Sequence, residues 1–194
     1  LETARAKLLV DCGMFQGSKT ERELNYRPFP FDPSSLTAVL LTHAHIDHSG
    51  LLPKLVKHGY ANTIHCTAAT VDLCGIMLPD SGGIQEMEVQ QLNRRRTKRG
   101  QEEVEPIYTA DDAMAALEHF QGHPYETWIS PAPGIRARVR LHEPRIGRLR
   151  DRTQPRQRSC TARCQRTRQT PQLGPRILFG VTRGLELPEF AGVV

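Results

Sequence analysis

An apolar run that ends in a cluster of metal-ligand side chains is the feature of this sequence that most constrains its fold. Residues 36–41 read Leu-Thr-Ala-Val-Leu-Leu, which is typical of a buried strand, and residues 42–50 read Thr-His-Ala-His-Ile-Asp-His-Ser-Gly. In extended chain, side chains two residues apart point to the same side, so His43 and His45 can bind one metal together. Asp47 and His48 follow where the chain turns and can reach a second metal. Imidazole and carboxylate groups suit zinc and similar divalent ions.

A polar loop that is rich in histidine by chance is the alternative to a metal site. Isolated histidines usually occupy such loops. Four ligand-type residues in this order, at a strand end and before a helix-like segment, favour metal binding. The remaining histidines lack ligand spacing, and we assign them to surface or core positions: His58, His65, His119, His123 and His142.

Strands and helices alternate over residues 1–139, which predicts an α/β layered domain. The predicted strands are 7–10, 36–41, 61–66, 125–130 and 135–139. The predicted helices are 50–58, 67–78, 84–93 and 110–120, the last with Thr109 as its N-cap. The basic residues at 94–99 fit a solvated helix end better than a phosphate-binding surface. Asp11 ends the first strand, where it either orients a metal ligand or caps a turn.

The positive charge of the chain lies in one segment. Residues 138–176 contain twelve arginines and two acids, a net charge of +10, so the other residues together carry −5 of the total of +5. Residues 140–175 lack periodic apolar positions, which predicts a basic segment of low order. A further strand is predicted at 176–179, within a tail that comprises residues 176–194. The basicity therefore does not describe the α/β domain.

Several classes of protein are excluded or made less plausible by composition. No apolar run approaches the roughly 18 residues that a membrane-spanning helix needs. The five cysteines have no disulfide-framework spacing, so we expect free thiols in a reducing, cytoplasmic setting. The sequence begins with neither methionine nor a signal peptide, so we expect that its true beginning is missing.

Three stretches of sequence together match a known pattern. They are residues 8–17, Leu-Leu-Val-Asp-Cys-Gly-Met-Phe-Gln-Gly, residues 40–53, which hold the histidine motif, and residues 80–86, which hold Asp-Ser and Ile-Gln-Glu. They resemble the metallo-β-lactamase superfamily and, more closely, its β-CASP branch of RNA-processing nucleases. The resemblance covers about residues 1–139. It implies an αβ/βα four-layer sandwich, incomplete here, with a two-zinc site at one edge of the sheets.

The resemblance also assigns roles to residues. His43 and His45 would bind the first zinc, and Asp47 and His48 the second. Asp11 would stand beside the site, and Asp47 would also orient the attacking hydroxide. The implied activity is hydrolysis of RNA phosphodiester bonds, with RNA as substrate. Apart from the resemblance, a homodimer is the assembly that we expect.

Two other functions stay open at this point. The same histidine motif serves metallo-β-lactamase-fold hydrolases that act on thioesters or lactams, although residues 11–17 and 80–86 favour the β-CASP branch. A non-enzymatic alternative is RNA binding through the arginine-rich residues 138–176.

The sequence departs from the family pattern at two expected ligands. Residues 141–147 read Leu-His-Glu-Pro-Arg-Ile-Gly, so His142 is out of register for the third ligand of the first zinc and Pro144 stands about where it would fall. After Phe179 the family's bridging aspartate is absent. A frameshift between about 138 and 175, and again after Phe179, would explain both losses, and a lineage-specific basic insertion is the alternative. We therefore expect the front half of a nuclease, with weak or no activity.

Overall fold

The computed structural model describes residues 1–142 and 176–183. Its strands are β1 (Leu8–Val10), β2 (Ala38–Leu40), β3 (Ile64–Thr67), β4 (Phe120–His123), β5 (Trp128–Ala132), β6 (Ile135–His142) and β7 (Arg176–Arg183). Its α-helices are α1 (Lys19–Glu23), α2 (Ile46–Ser49), α3 (Leu52–Lys57), α4 (Ala68–Thr97) and α5 (Ala110–Leu117).

The first four strands form a parallel sheet in the order β1-β2-β3-β4. Leu9 pairs with Val39, and Val39 pairs with Ile64 on its other side. Parallel neighbours need crossover connections, and helices supply most of them here. Because all four strands run the same way, their carboxyl ends meet at one edge of the sheet. Asp11 and the histidine motif follow β1 and β2 at that edge.

One face of this sheet is covered by α3, α4 and α5. The buried side chains of β2 and β3 on that face pack against apolar residues of the helices and their connections: Val39, Leu41, Ile64, Cys66, Leu52, Leu55, Cys74, Leu78, Tyr108 and Ala113. This cluster is the main hydrophobic core. It fixes the strand that leads into the histidine motif, because Val39 and Leu41 are both fully buried in it.

The other face of the parallel sheet packs on an antiparallel sheet of order β5-β6-β7. Leu40 contacts the inward side chains Ile129, Ala137 and Val139. A second cluster joins Ala6, Leu8 and Ala38 to Ala132 and Ile135. On the outward face of β5 and β6, Trp128, Ser130 and Arg136 are exposed. The described residues therefore supply a helix layer and two sheets, and the predicted α/β class is confirmed.

Helix α4 differs from its prediction. We expected separate helices at 67–78 and 84–93, but a single helix covers Ala68–Thr97, with Thr67 as N-cap and Pro79 inside it. Gly82 does not break the helix. A Cβ atom there would lie 2.7 Å from the backbone of Thr109 and Ala110, so the glycine allows the chain before α5 to approach α4 closely.

Other element boundaries also shift. The predicted helix at 50–58 corresponds to α3, which covers Leu52–Lys57, and a short helix that was not predicted, α2, precedes it and contains Asp47 and His48. The predicted helix at 110–120 ends at Leu117, and Phe120 begins β4, a strand that the sequence analysis missed. Thr109 is the N-cap of α5, as predicted. The strand predicted at 176–179 is confirmed, and it pairs with β6 over its full length.

Within the described part of the chain, no helix is long and apolar enough to cross a membrane. Cys12, Cys66 and Cys74 are buried free thiols, as predicted. Cys160 and Cys164 lie outside the described residues, as do residues 143–175 of the basic segment. Of the residues that follow Phe179, the second proposed frameshift border, the structure describes those up to Arg183.

Candidate metal centre

Asp11 and the histidine motif meet because β1 and β2 are parallel neighbours. The backbone N–H of Asp11 donates to the carbonyl of Leu40 at 3.0 Å, which extends the pairing one residue past the strands. Asp11 has a φ of 59°, in the left-handed region that non-glycine residues rarely adopt. This conformation turns the chain at the strand end, and the hydrogen bonds of the Asp11 carboxylate help to hold it there.

The Asp11 carboxylate binds three donors from the motif. Its Oδ1 accepts the backbone N–H of Thr42 at 2.7 Å. Its Oδ2 accepts the Thr42 hydroxyl at 2.8 Å and lies 2.8 Å from Nδ1 of His48. An ionised carboxylate can only accept, so His48 donates from Nδ1, and in the neutral ring the lone pair is then on Nε2. A carboxylate behind the imidazole is a common arrangement for a metal-binding histidine.

The three imidazoles of the motif lie close together. The ring centroids of His43 and His48 are 4.0 Å apart, and those of His43 and His45 are 4.6 Å apart. Burial, followed by the neighbouring rings of His48 and His45, lowers the pKa of His43 to about 4. His43 is therefore neutral near pH 7, which is the protonation state that a metal ligand needs.

Helix α2, which carries Asp47 and His48, is fastened to the segment after β1. Cys12 N–H donates to the His48 carbonyl at 2.7 Å, and Met14 N–H donates to the Ile46 carbonyl at 3.0 Å. Gly13 lies between these two bonds, against the backbone of Asp47. The buried Ser49 hydroxyl donates to the Ala44 carbonyl at 2.8 Å and anchors the other side of the turn. The position of the motif's second half is therefore set by backbone contacts.

The donor set suits a transition metal, and one pair already has suitable spacing. Nε2 of His48 lies 3.7 Å from Oδ2 of Asp47. Two ligand atoms about 2.1 Å from one tetrahedral ion lie about 3.4 Å apart. His45 and Asp47 are exposed, so both can rotate toward an ion. Over residues 1–142 and 176–183, however, no three such side chains converge on one point as they stand. The residues fit a metal chemically, and their side chains would have to adjust to bind it.

A second histidine pair was missed from the sequence. Nδ1 of His65 on β3 and Nε2 of His123 on β4 are 2.9 Å apart, so one ring donates to the other. Burial, and then His123, lowers the pKa of His65 to about 4, and burial also lowers the pKa of His123. Both rings are therefore neutral near pH 7. The pairing depends on β4, and no signal in the sequence pointed to that strand.

His58, His119 and the basic end of α4 lie away from the candidate metal centre. His58 is exposed beside Phe29, and His119 lies near the buried ring of Tyr60. Around the basic end of α4, Arg96 donates from Nε to the carbonyl of Glu102 at 2.6 Å. The chain there folds back through Glu102, Glu103 and Glu105, which offset the positive charge and agree with a solvated helix end.

Comparison with known proteins identifies the family of this chain. The family model of the metallo-beta-lactamase superfamily matches residues 1–124. Ribonuclease TTHA0252 of Thermus thermophilus is 39% identical over 123 residues, which are 63% of this chain and 24% of the relative. The transcription termination factor FttA of Methanothermobacter thermautotrophicus is 39% identical over 94 residues, 47% of this chain and 15% of the relative.

A more distant likeness is to a solved structure. MEM-A1, a subclass B3 metallo-beta-lactamase from a soil metagenome library, aligns with a TM-score of 0.39 and 16% identity over 72% of this chain and 43% of the other.

This chain belongs to the metallo-β-lactamase superfamily, whose members are generally metal-dependent and typically use zinc. The resemblance to its β-CASP branch is confirmed by the relatives. The chain spans less than a quarter of the length of the Thermus ribonuclease and about a seventh of that of the termination factor.

Proposed function

We propose that this chain is part of a zinc-dependent phosphodiesterase that hydrolyses RNA. His43 and His45 would hold one zinc ion, and Asp47 and His48 a second. The observation that carries the proposal is the anchoring of the motif, in which Asp11 fixes Nδ1 of His48 and leaves Nε2 free at the sheet edge. The names of the relatives, a ribonuclease and a transcription termination factor, support RNA as the substrate class.

Each residue of the centre has a distinct task in this proposal. Asp11 stands behind His48 and strengthens it as a donor. His43 is held neutral by burial, so that it binds a cation without first losing a proton. Asp47, exposed at the edge, is positioned to orient an attacking water. The chemistry that zinc supplies when bound is water activation near neutral pH and neutralisation of charge on the phosphate oxygens.

Zinc binding is the first test, and it needs only this chain and its single-residue variants. Zinc content after dialysis, and affinity by competition with a chelator, are measured for the unchanged chain and for the variants His43→Ala and Asp47→Asn. His58→Ala, at an exposed histidine away from the centre, is the matched control. We expect uptake in the unchanged chain and in the control, with weaker binding in the two motif variants. Equal zinc uptake by all four proteins would contradict the proposed ligands.

Substrate class is tested in a chimera, because the chain corresponds to 24% of the Thermus ribonuclease. The matching 123 residues of this chain replace their counterparts in that enzyme. We expect the chimera to cleave labelled RNA, to lose this activity with His43→Ala or with a chelator, and to leave a chromogenic lactam and a thioester intact. Hydrolysis of the lactam or thioester without RNA cleavage would favour the other class of hydrolase.

Two further predictions accompany this proposal, and a third experiment separates it from the non-enzymatic alternative. A homodimer is tested by light scattering on the purified chain at several concentrations. A cytoplasmic location is supported by the buried free thiols Cys12, Cys66 and Cys74, and fractionation of the source cells tests it. RNA binding by residues 138–176, the non-enzymatic alternative, predicts that deletion of this segment abolishes binding to labelled RNA.

A further inference from the structure

We propose that Thr42 is a positioning residue whose hydroxyl sets the tautomer of His43 and joins it to the carboxylate that holds His48. The inference rests on the proposed function, because it concerns ligands of the proposed zinc ions. It adds Thr42, which is not one of the proposed zinc ligands, and it assigns the hydrogen of the Thr42 hydroxyl to a specific acceptor.

The hydroxyl of Thr42 sits between the two halves of the motif. It lies 2.8 Å from Oδ2 of Asp11 and 3.0 Å from Nδ1 of His43. The same Asp11 oxygen is 2.8 Å from Nδ1 of His48. A continuous path of short contacts therefore runs from His43 through Thr42 and Asp11 to His48.

The donors along this path can be assigned by counting hydrogens. A threonine hydroxyl has one hydrogen, and an ionised carboxylate accepts but cannot donate. The Thr42 hydrogen is therefore used on Asp11, and Oγ1 is left to accept from Nδ1–H of His43. His43 then holds its lone pair on Nε2, as His48 does, so both rings present the same nitrogen for metal binding.

The hydroxyl of Thr42 acts on His43 more than on His48, because it lies 3.0 Å from Nδ1 of His43 but 3.5 Å from Nδ1 of His48. Asp11 keeps two other contacts with the motif when the hydroxyl is removed: the backbone N–H of Thr42 at 2.7 Å and Nδ1 of His48. Loss of the hydroxyl therefore frees Nδ1 of His43 while His48 stays anchored. If Thr42 had only a structural role, removing its hydroxyl would not change the hydrogen bonding of His43 while leaving that of His48 unchanged.

The test compares Thr42→Val, which keeps the shape of the side chain without the hydroxyl, with Thr42→Ser, which keeps the hydroxyl. Imidazole nitrogen chemical shifts, measured by NMR on the metal-free chain, report the tautomer of each histidine. We expect the Nδ1–H form at His43 in the unchanged chain and in Thr42→Ser, but not in Thr42→Val. His48 should keep the Nδ1–H form in all three. Thr42→Ala is a second hydroxyl-free variant if Thr42→Val does not fold.

Zinc affinity provides an independent measurement. Removing a partner behind a metal ligand typically lowers affinity by about 10- to 100-fold, and we expect at least about 10-fold for Thr42→Val with recovery in Thr42→Ser. An unchanged His43 tautomer in the hydroxyl-free variants would overturn the inference. If the unchanged chain took up no zinc, the proposed function would fail, but the tautomer measurement would still decide the role of Thr42.

Discussion

The backbone of Gly13 lies so close to Asp47 that a Cβ atom on Gly13 would fall 1.7 Å from the Asp47 carbonyl oxygen. The hydrogen bonds from Cys12 and Met14 on either side hold the two segments at this separation. No side chain other than hydrogen fits there. Gly13 therefore sets how closely the Asp47–His48 turn approaches β1.

Gly13→Ala should displace this turn. We expect a loss of about 1–3 kcal/mol in the free energy of unfolding, as is usual for overpacking, and weaker zinc binding. Chemical denaturation and chelator competition measure the two effects. Gly83→Ala is the matched control, because a Cβ atom at Gly83 meets nothing within 4 Å and alanine favours a helix by about 0.5–1 kcal/mol over glycine. Equal stability of the two variants would contradict the close packing at Gly13.

Asp11→Asn should remove the charge of Asp11 while keeping its backbone conformation. Asparagine tolerates the left-handed region that Asp11 occupies, so the turn after β1 should persist. The amide cannot accept from Thr42 and His48 as the carboxylate does, and we expect zinc affinity to fall by about 10- to 100-fold. Asp11→Ala should lose about 1–2 kcal/mol of stability in addition, because alanine is strained at this φ. The prediction fails if Asp11→Asn binds zinc as tightly as the unchanged chain.

Acid should destabilise the metal-free chain through His65 and His123. Burial lowers the folded-state pKa of both, that of His65 to about 4, whereas the unfolded value is about 6.5. The unfolded chain therefore binds more protons between these values. Stability contributed by the neutral pair is complete above pH 6.5 and is lost as the pH falls toward 4.

Denaturant unfolding at several pH values from 7 to 4 measures this effect. The double variant with His65→Leu and His123→Leu should show a shallower decline over the same interval. Some decline should remain, because the pKa of His43 is lowered in the same way. A decline as steep as that of the unchanged chain would show that this pair is not responsible.

Lys54→Met should destabilise the chain through two backbone carbonyls. Lys54 is 4% exposed, and its Nζ donates at 2.6 Å to the carbonyls of Asn25 and Arg27. Methionine fills a similar volume but leaves both carbonyls without this donor, which should cost about 2–3 kcal/mol. Thermal and chemical denaturation report the change.

Lys57→Met is the comparison for Lys54→Met. Lys57 forms a partly exposed ion pair with Asp112 at 2.8 Å, and such pairs contribute about 0–1 kcal/mol. The same effect from both substitutions would argue against a special role for the buried amine.

The sequence was sufficient for the class of fold and for the residues that gather at the sheet edge. The run at 36–41 predicts a buried strand, and local spacing alone brings His43 close to His45. What it did not reveal depends on contacts between distant segments. Pro79 and Gly82 are typical breaks in isolation, yet packing of Gly82 against Thr109 favours one helix over two.

The contacts around the metal ligands also could not be predicted from the sequence. The bond from Thr42 to Asp11 joins residues 31 positions apart, and the contact between His65 and His123 spans 58. Periodicity reports only which face of its own element a residue occupies. The register between strands decides these partners, and β4, which reads Phe-Gln-Gly-His, has too few apolar residues to be predicted as a strand.

Helix α4 has thirty residues, or about 45 Å of length, whereas β3 and β4 beneath it have four residues each, or about 13 Å. The helix therefore extends well beyond the strands that it covers. Near the projecting end, the Asn93 side chain both donates to and accepts from the backbone of Val104, at 2.8 and 2.9 Å. The Asn93 amide, together with the bond from Arg96 Nε to the carbonyl of Glu102, therefore braces this end of the helix against the returning chain.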